Sequence, residues 1–148
     1  MSDLGFSIRE ITVAVRDLGA AGDRLGGMLQ SSPDKPVSFP QKNFELKMGG
    51  VWADDFHIAM VEPTSDSGPV ARFLEKRGEG IYEVNLVTDD LPAAIEHMKG
   101  QGVEFVSEEP TILRDYEWRG EIFSELRIVF ADPSTTHGIL FELGQWVK

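Results

Sequence analysis

Residues 10–25 read EITVAVRDLGAAGDRL, and residues 83–98 read EVNLVTDDLPAAIEHM. Laid over each other at one fixed offset, Glu10 meets Glu83, Asp17 meets Asp90, Leu18 meets Leu91, and Ala20-Ala21 meet Ala93-Ala94, with apolar residues paired at most other positions. A repeat of this length marks a supersecondary unit used twice. Each copy begins with an alternating run. Ile11, Val13 and Val15 fall on one face of a strand and Glu10, Thr12 and Ala14 on the other; Val84 and Leu86 oppose Glu83, Asn85 and Val87 in the same way. A helix follows in each copy. Asp17 in the first and Asp89 in the second are the expected N-caps, and Pro92 sits in a first turn, where its missing N–H does no harm. The helices are expected to run to about Gln30 and Gln101, with Gly26-Gly27 and Gly100 weakening their ends.

Working outward, further strands are expected at 37–39, 44–48 and 56–61 after the first helix, and at 103–106, 111–119, 126–131 and 139–143 after the second. Gly49-Gly50 and Asp54-Asp55 read as turns, and residues 70–77 as a short amphipathic helix joining the halves. Both halves are read as β-α-β-β-β, eight main strands in all, with one additional short run in the second half. The class is α+β, built as two tandem modules: module 1 at about 6–63, a connector helix at about 66–79 and module 2 at about 80–148. Neither half buries much alone, so the two are expected to form a single domain over 1–148.

Composition narrows the function. The chain has 148 residues, of which 41% are hydrophobic and 26% charged, an ordinary globular balance. Acids outnumber bases 25 to 14, for a net charge of −11. Such a chain repels phosphate backbones and anionic lipid, so neither nucleic acid nor a membrane is an expected partner. There is no cysteine, which excludes disulfides, thiolate zinc, iron–sulfur clusters and cysteine nucleophiles and fits a cytoplasmic location. Residues 1–6 lack the charged and apolar regions of a signal peptide, and no apolar run approaches the roughly 18 residues of a membrane span. Phosphate loops, GxGxxG, HExxH and Gly-x-Ser-x-Gly motifs are all missing.

Two such modules in one short chain resemble the vicinal oxygen chelate superfamily of glyoxalases, bleomycin-resistance proteins, extradiol dioxygenases and methylmalonyl-CoA epimerases. Val61-Glu62-Pro63, the connector 69–80 with its block Phe73-Leu74-Glu75-Lys76-Arg77-Gly78-Glu79-Gly80, and the last-strand pattern from Pro133 to Gly138-Ile139-Leu140-Phe141-Glu142-Leu143 resemble the epimerases most. The resemblance implies a cupped, eight-stranded mixed sheet of the glyoxalase type. It implies an isomerase or lyase that moves a proton α to a carbonyl, with an acyl-CoA or other carbonyl compound as small-molecule partner, in a homodimer. It also implies four metal-ligand positions, which fall here on Glu10, Ala59, Glu83 and Glu142, and a family base before the third strand, which falls on Pro40 or Gln41.

Glu10, Glu83 and Glu142 are therefore the candidate catalytic residues and, where a metal binds, its ligands. Two carboxylates about 4 Å apart repel by about 4 kcal/mol at an effective dielectric near 20. Three in one cavity need a cation or a proton. An all-oxygen site favours Mg²⁺, Mn²⁺ or Ca²⁺ over Zn²⁺ or Fe²⁺, and Ala59 leans the expectation toward a weak or absent metal. His57, two residues before Ala59 and on the same strand face, could supply a nitrogen ligand from a shifted position; it and His137, in the turn before the last strand, are candidate substrate-binding residues, with an open rim the plainer expectation for His57 and a solvent-exposed helix face for His97. A dioxygenase would need two histidines and a carboxylate for iron, and glutamates stand at both histidine positions. The alternative function is a metal-free small-molecule binding protein of the bleomycin-resistance type, which the acidic charge suits.

Overall fold

The computed structural model describes residues 3–40, 45–118 and 120–148. The expected family base at Gln41, the start of the third strand at Phe44 and the end of the long strand at Arg119 lie outside the described residues or on their edge. Among the described residues, eight strands and two helices form two β-α-β-β-β modules of the α+β glyoxalase type, joined by a third helix, with parallel and antiparallel pairs in each. By contacts the chain divides into one unit over 10–82 and a second that joins 3–9 to 83–148.

The first unit runs β1 (Ser7–Ala14), α1 (Leu18–Leu29), β2 (Val37–Pro40), β3 (Glu45–Ala53), β4 (Phe56–Pro63) and α2 (Pro69–Arg77). Its strands lie in the order β2-β3-β4-β1, with β1 parallel to β4 and the other neighbours antiparallel. Asp17 caps α1, accepting the Ala20 N–H at 3.0 Å. One sheet face packs Val15, Val51 and Met60 against Leu18 and Leu25 of α1. At one end of the other face, Ala14 and Val61 pack against Val70 and Leu74 of α2. That leaves Glu10, His57 and Trp52 of the same face beyond α2, where the candidate site begins.

Gly49-Gly50, expected as a turn, instead lies inside β3, whose ladder to β4 continues through Gly49↔Met60 and Gly50↔Ala59. The glycines serve close approach rather than chain reversal. A Cβ on Gly50 would stand 2.3 Å from His57 Nε2 and 2.8 Å from the Ile58 carbonyl oxygen. The reversal falls at Asp54-Asp55, where Asp54 takes φ +56°.

The second unit runs β5 (Gly80–Val87), α3 (Leu91–Gly100), β6 (Thr111–Trp118), β7 (Glu121–Phe130) and β8 (Phe141–Val147), with a 3-10 turn at Pro133–Thr135. Its strand order is β5-β8-β7-β6, and β5 is parallel to β8. Asp90, not Asp89, caps α3 by accepting the Ala93 N–H at 3.1 Å. This is the position the repeat assigns opposite Asp17; Asp89 instead donates its backbone N–H to the Leu4 carbonyl. Leu91, Ala94 and Ile95 of α3 pack on Val129 and Leu143. The expected strand at 103–106 is reduced to a single bridge, Phe105↔Ala131, with Phe105 packed against the core cluster that α3 forms with Val129 and Leu143.

Candidate functional site

In the first module, parallel register sets Glu10 on β1 directly opposite His57 on β4, so both side chains leave the same face. Both are buried, each 7% exposed. Glu10 Oε2 lies 2.5 Å from His57 Nδ1, and Asp34 Oδ2 lies 2.8 Å from His57 Nε2. Asp34 reaches the ring because its backbone N–H donates to the Gly50 carbonyl at 2.8 Å, which fixes it beside β3. Trp52, opposite His57 across the β3–β4 ladder, lays its ring 4.3 Å from the imidazole and donates its indole N–H to the other Asp34 oxygen at 3.1 Å. Burial by itself pulls the His57 pKa down. The hydrogen bond and charge of Glu10, and then those of Asp34, outweigh it, and the net shift is upward from 6.5.

In the second module, Glu83 and Asn85 point to one face of β5, and Asn85 stands opposite Glu142 of β8. The two carboxylates therefore flank an amide that is 6% exposed. Asn85 donates toward Glu83 Oε1 at 3.4 Å, a long contact. The same module carries an aromatic cluster in which Tyr116, Trp118 and Phe123 meet Trp146 edge-to-face, with ring centroids 5.0–5.7 Å apart. Arg9 lays its guanidinium over both indoles, 4.7 Å from Trp118 and 4.5 Å from Trp146. An open cleft elsewhere, lined by Asp17, Leu18, Lys47 and Glu62 at the start of α1, holds none of these groups, and Glu62 there already accepts the Leu18 N–H.

The model of the Glyoxalase/Bleomycin resistance protein/Dioxygenase superfamily matches residues 9–119. The chain belongs to that superfamily. It is 24% identical to the mitochondrial methylmalonyl-CoA epimerase of Bos taurus over 139 residues, which is 93% of this chain and 73% of that protein. Among solved structures it is similar to the methylmalonyl-CoA epimerase of Mycobacterium tuberculosis, at 25% identity and TM-score 0.73 over 93% of this chain and 86% of that one. It is also similar to a variant of the Streptomyces coelicolor methylmalonyl-CoA epimerase in complex with 2-nitronate-propionyl-CoA, at 25% identity and TM-score 0.71, covering 93% and 92%.

Superfamily members often bind divalent metals, and the residues of the first module do not fit one. Glu10 is already paired to His57 through Oε2, and Ala59, 2% exposed, has no donor atom. The imidazole's two nitrogens point in opposite directions, so Glu10, His57 and Asp34 form a chain rather than converge on a point. Among the described residues no group of three or more His, Asp or Glu side chains is arranged to hold a metal.

The sequence-derived candidates divide accordingly. Glu83 and Glu142 share one face of the second module, and Glu10 takes its place on β1 of the first. His57 is not on an open rim; it is buried against Glu10, because parallel pairing puts it across from that carboxylate and not at the strand end. His137 is exposed, with φ +57° in the loop before β8, and His97 is exposed on α3 near Phe6. Sequence reasoning missed Asp34, Trp52 and Asn85. Asn85 had a signal, since it alternates with Glu83. Asp34 had none, because it lies outside any regular element and reaches His57 only through tertiary structure.

Proposed function

We propose that this superfamily member is an enzyme of the isomerase or lyase type that moves a proton α to the carbonyl of an acyl-CoA or related small molecule. The observation that carries this reading is the Glu83–Asn85–Glu142 face, which sets two carboxylates around one buried amide. In this reading one carboxylate takes the α-proton and becomes a carboxylic acid. The Asn85 N–H₂ faces the carbonyl oxygen as negative charge develops there, and the second carboxyl group, which enters the reaction protonated, gives its proton to the other side of the carbon and is left as the carboxylate. Glu10 is the third catalytic candidate, and His57 and His137 act in substrate positioning. The relatives named methylmalonyl-CoA epimerase support an acyl-CoA class of substrate, and the complex with 2-nitronate-propionyl-CoA supports an anionic intermediate at the α-carbon. No step is routed through a metal. We further take the protein to be a cytoplasmic homodimer; no helix among the described residues is long and apolar enough to cross a membrane.

The test is deuterium uptake. The protein is incubated in D₂O with a panel of acyl-CoA thioesters and α-substituted ketones, and exchange at the α-carbon is followed by mass spectrometry. Exchange is expected with at least one substrate and is expected to vanish in Glu83→Gln and Glu142→Gln. A second reading, a small-molecule binding protein, is favoured by the aromatic cluster around Trp146 and Arg9. It predicts ligand-dependent quenching of tryptophan fluorescence with no exchange in any member of the panel.

A further inference from the structure

Strand β8 carries Glu142 and the centre of the aromatic cluster on one and the same side. Leu143 turns toward α3, so Glu142, Gly144 and Trp146 face the other way. The β7 ladder lays Phe130, Ile128 and Leu126 opposite these three in turn. The floor of the strip is apolar and closed, with Ile128 7% and Leu126 3% exposed. Glu142 and Trp146 lie two alternating steps apart, but the indole does not stay at its own step. It leans back over Gly144, where an added Cβ would meet Trp146 Nε1 at 3.5 Å and Cδ1 at 3.7 Å. The N–H edge of the ring thus stands about one alternating step, roughly 6–7 Å, from Glu142 along the strand. Atoms in contact are about 3.5–4.0 Å apart, so that span admits about one layer of atoms between carboxylate and ring. The ring is also fixed in place. The Arg9 guanidinium lies over its face at 4.5 Å, and Tyr116, Trp118 and Phe123 meet it edge-to-face at 5.0–5.7 Å.

We propose that Trp146 is a specificity-determining residue of the second module, an inference that rests on the proton-transfer reading of the Glu83–Asn85–Glu142 face. Its indole, seated over Gly144, is a wall that stops the acyl group just beyond Glu142. The site then takes thioesters whose α-carbon carries an apolar substituent of no more than about two carbons, packed on Phe130 and Ile128. A longer chain has to displace a ring held by four neighbours. Proton transfer at Glu83 and Glu142 needs no tryptophan; a limit on substrate size does.

The experiment uses the full chain and a series of four thioesters, propionyl-, butyryl-, hexanoyl- and octanoyl-CoA. Affinity is measured by titration calorimetry in wild type, Trp146→Ala and Gly144→Ala, with α-proton exchange in D₂O followed beside it. Wild type is expected to bind the hexanoyl and octanoyl thioesters at least about tenfold more weakly than the propionyl one. Trp146→Ala is expected to remove that penalty while binding propionyl-CoA no tighter. Should Trp146→Ala fail to fold, Gly144→Ala decides, since its methyl meets the ring and the Arg127 carbonyl only at ordinary contact distances and fills the space between wall and floor. It is expected to weaken butyryl-CoA more than propionyl-CoA. A wild type that binds octanoyl-CoA as tightly as propionyl-CoA, or binds none of the four, overturns the proposal. So does a Trp146→Ala protein that keeps the wild-type order, or a Gly144→Ala protein that binds butyryl-CoA like wild type. Length-ordered binding without exchange supports the wall and sinks the proton-transfer reading, and exchange without length dependence does the reverse.

Discussion

Strands β1 and β5 are copies of one another, yet their matched glutamates live in different surroundings. Glu10 is buried and faces His57; Glu83 is half-buried and faces along its own strand to Asn85. The difference lies in the parallel partner. On β8 the polar residue, Glu142, stands opposite the second inward position, Asn85, whereas on β4 that place is taken by Ala59 and the polar residue, His57, stands opposite the glutamate itself. A shift of two residues keeps a side chain on the same face and moves it roughly 6–7 Å along the strand. That shift separates a carboxylate hydrogen-bonded to a buried imidazole from a carboxylate beside an amide. It teaches that a duplicated framework can keep its backbone while the polar partner of a matched glutamate changes.

The sharpest break of that contrast is kinetic. Glu83→Ala and Glu142→Ala are each expected to abolish exchange, a loss of about 10²–10⁴ if either is the acid or base, while the melting temperature stays near wild type. Wild-type exchange in either variant, against the most reactive substrate of the panel, would remove the second module from the chemistry.

In the first module the large effect falls on stability instead. His57→Gln should cost about 3–5 kcal/mol in chemical denaturation, because it leaves buried Glu10 without its cation. The pH dependence has a defined sign. The folded-state pKa of His57 is raised above 6.5, so its contribution is complete below about 6.5 and is lost as pH rises through the folded value. Between pH 5 and 9, the stability gap separating wild type from His57→Gln should narrow toward the alkaline end; a gap that widens contradicts the ion pair.

A smaller effect tests the close approach. Gly50→Ala should destabilise by about 1–3 kcal/mol, since the new methyl overlaps the His57 ring and a neighbouring carbonyl. Gly49→Ala, whose Cβ would sit 3.5 Å from Leu18, should be far milder. Equal losses from the two would mean that the ring does not need the space.

The smallest effect sharpens the likeness of the halves. Asp17→Ala and Asp90→Ala should each cost about 0.5–2 kcal/mol, and by similar amounts, as equivalent helix caps. Asp89→Ala, which removes no cap, should cost less in the same melts.

The repeat was legible because strand alternation and capping are local, and β1, α1, β5 and α3 all fall where that pattern puts them. What misled was also local. Gly49-Gly50 carries the composition of a turn, but its reason is a histidine ring arriving from the next strand. The 103–106 run alternates correctly yet finds a strand partner at one residue only. At the site, the parity of Glu10, Glu83 and Glu142 could be read, since side-chain direction has period two. Their pairings could not. Register decides whether β4 offers His57 or Ala59 to Glu10, and Asp34 enters from a loop whose course no periodicity describes.

The unit boundaries have a consequence for the order in which the molecule is made. Residues 10–82 are continuous, so that unit has all its parts once they have left the ribosome, at roughly 5–20 residues per second. The other unit draws on both sides of it. Leu4 accepts hydrogen bonds from Thr88 and Asp89, and Arg9 rests on Trp118 and Trp146. Residues 3–9 emerge before that unit and meet their partners only after it, first at 88–89 and later at 118 and 146. During that interval Phe6 and Ile8, which stay exposed even in the finished fold, belong to a short segment still without its partners. A nascent chain stalled once residue 82 has left the ribosome would show protection over 10–82 and none over 3–9.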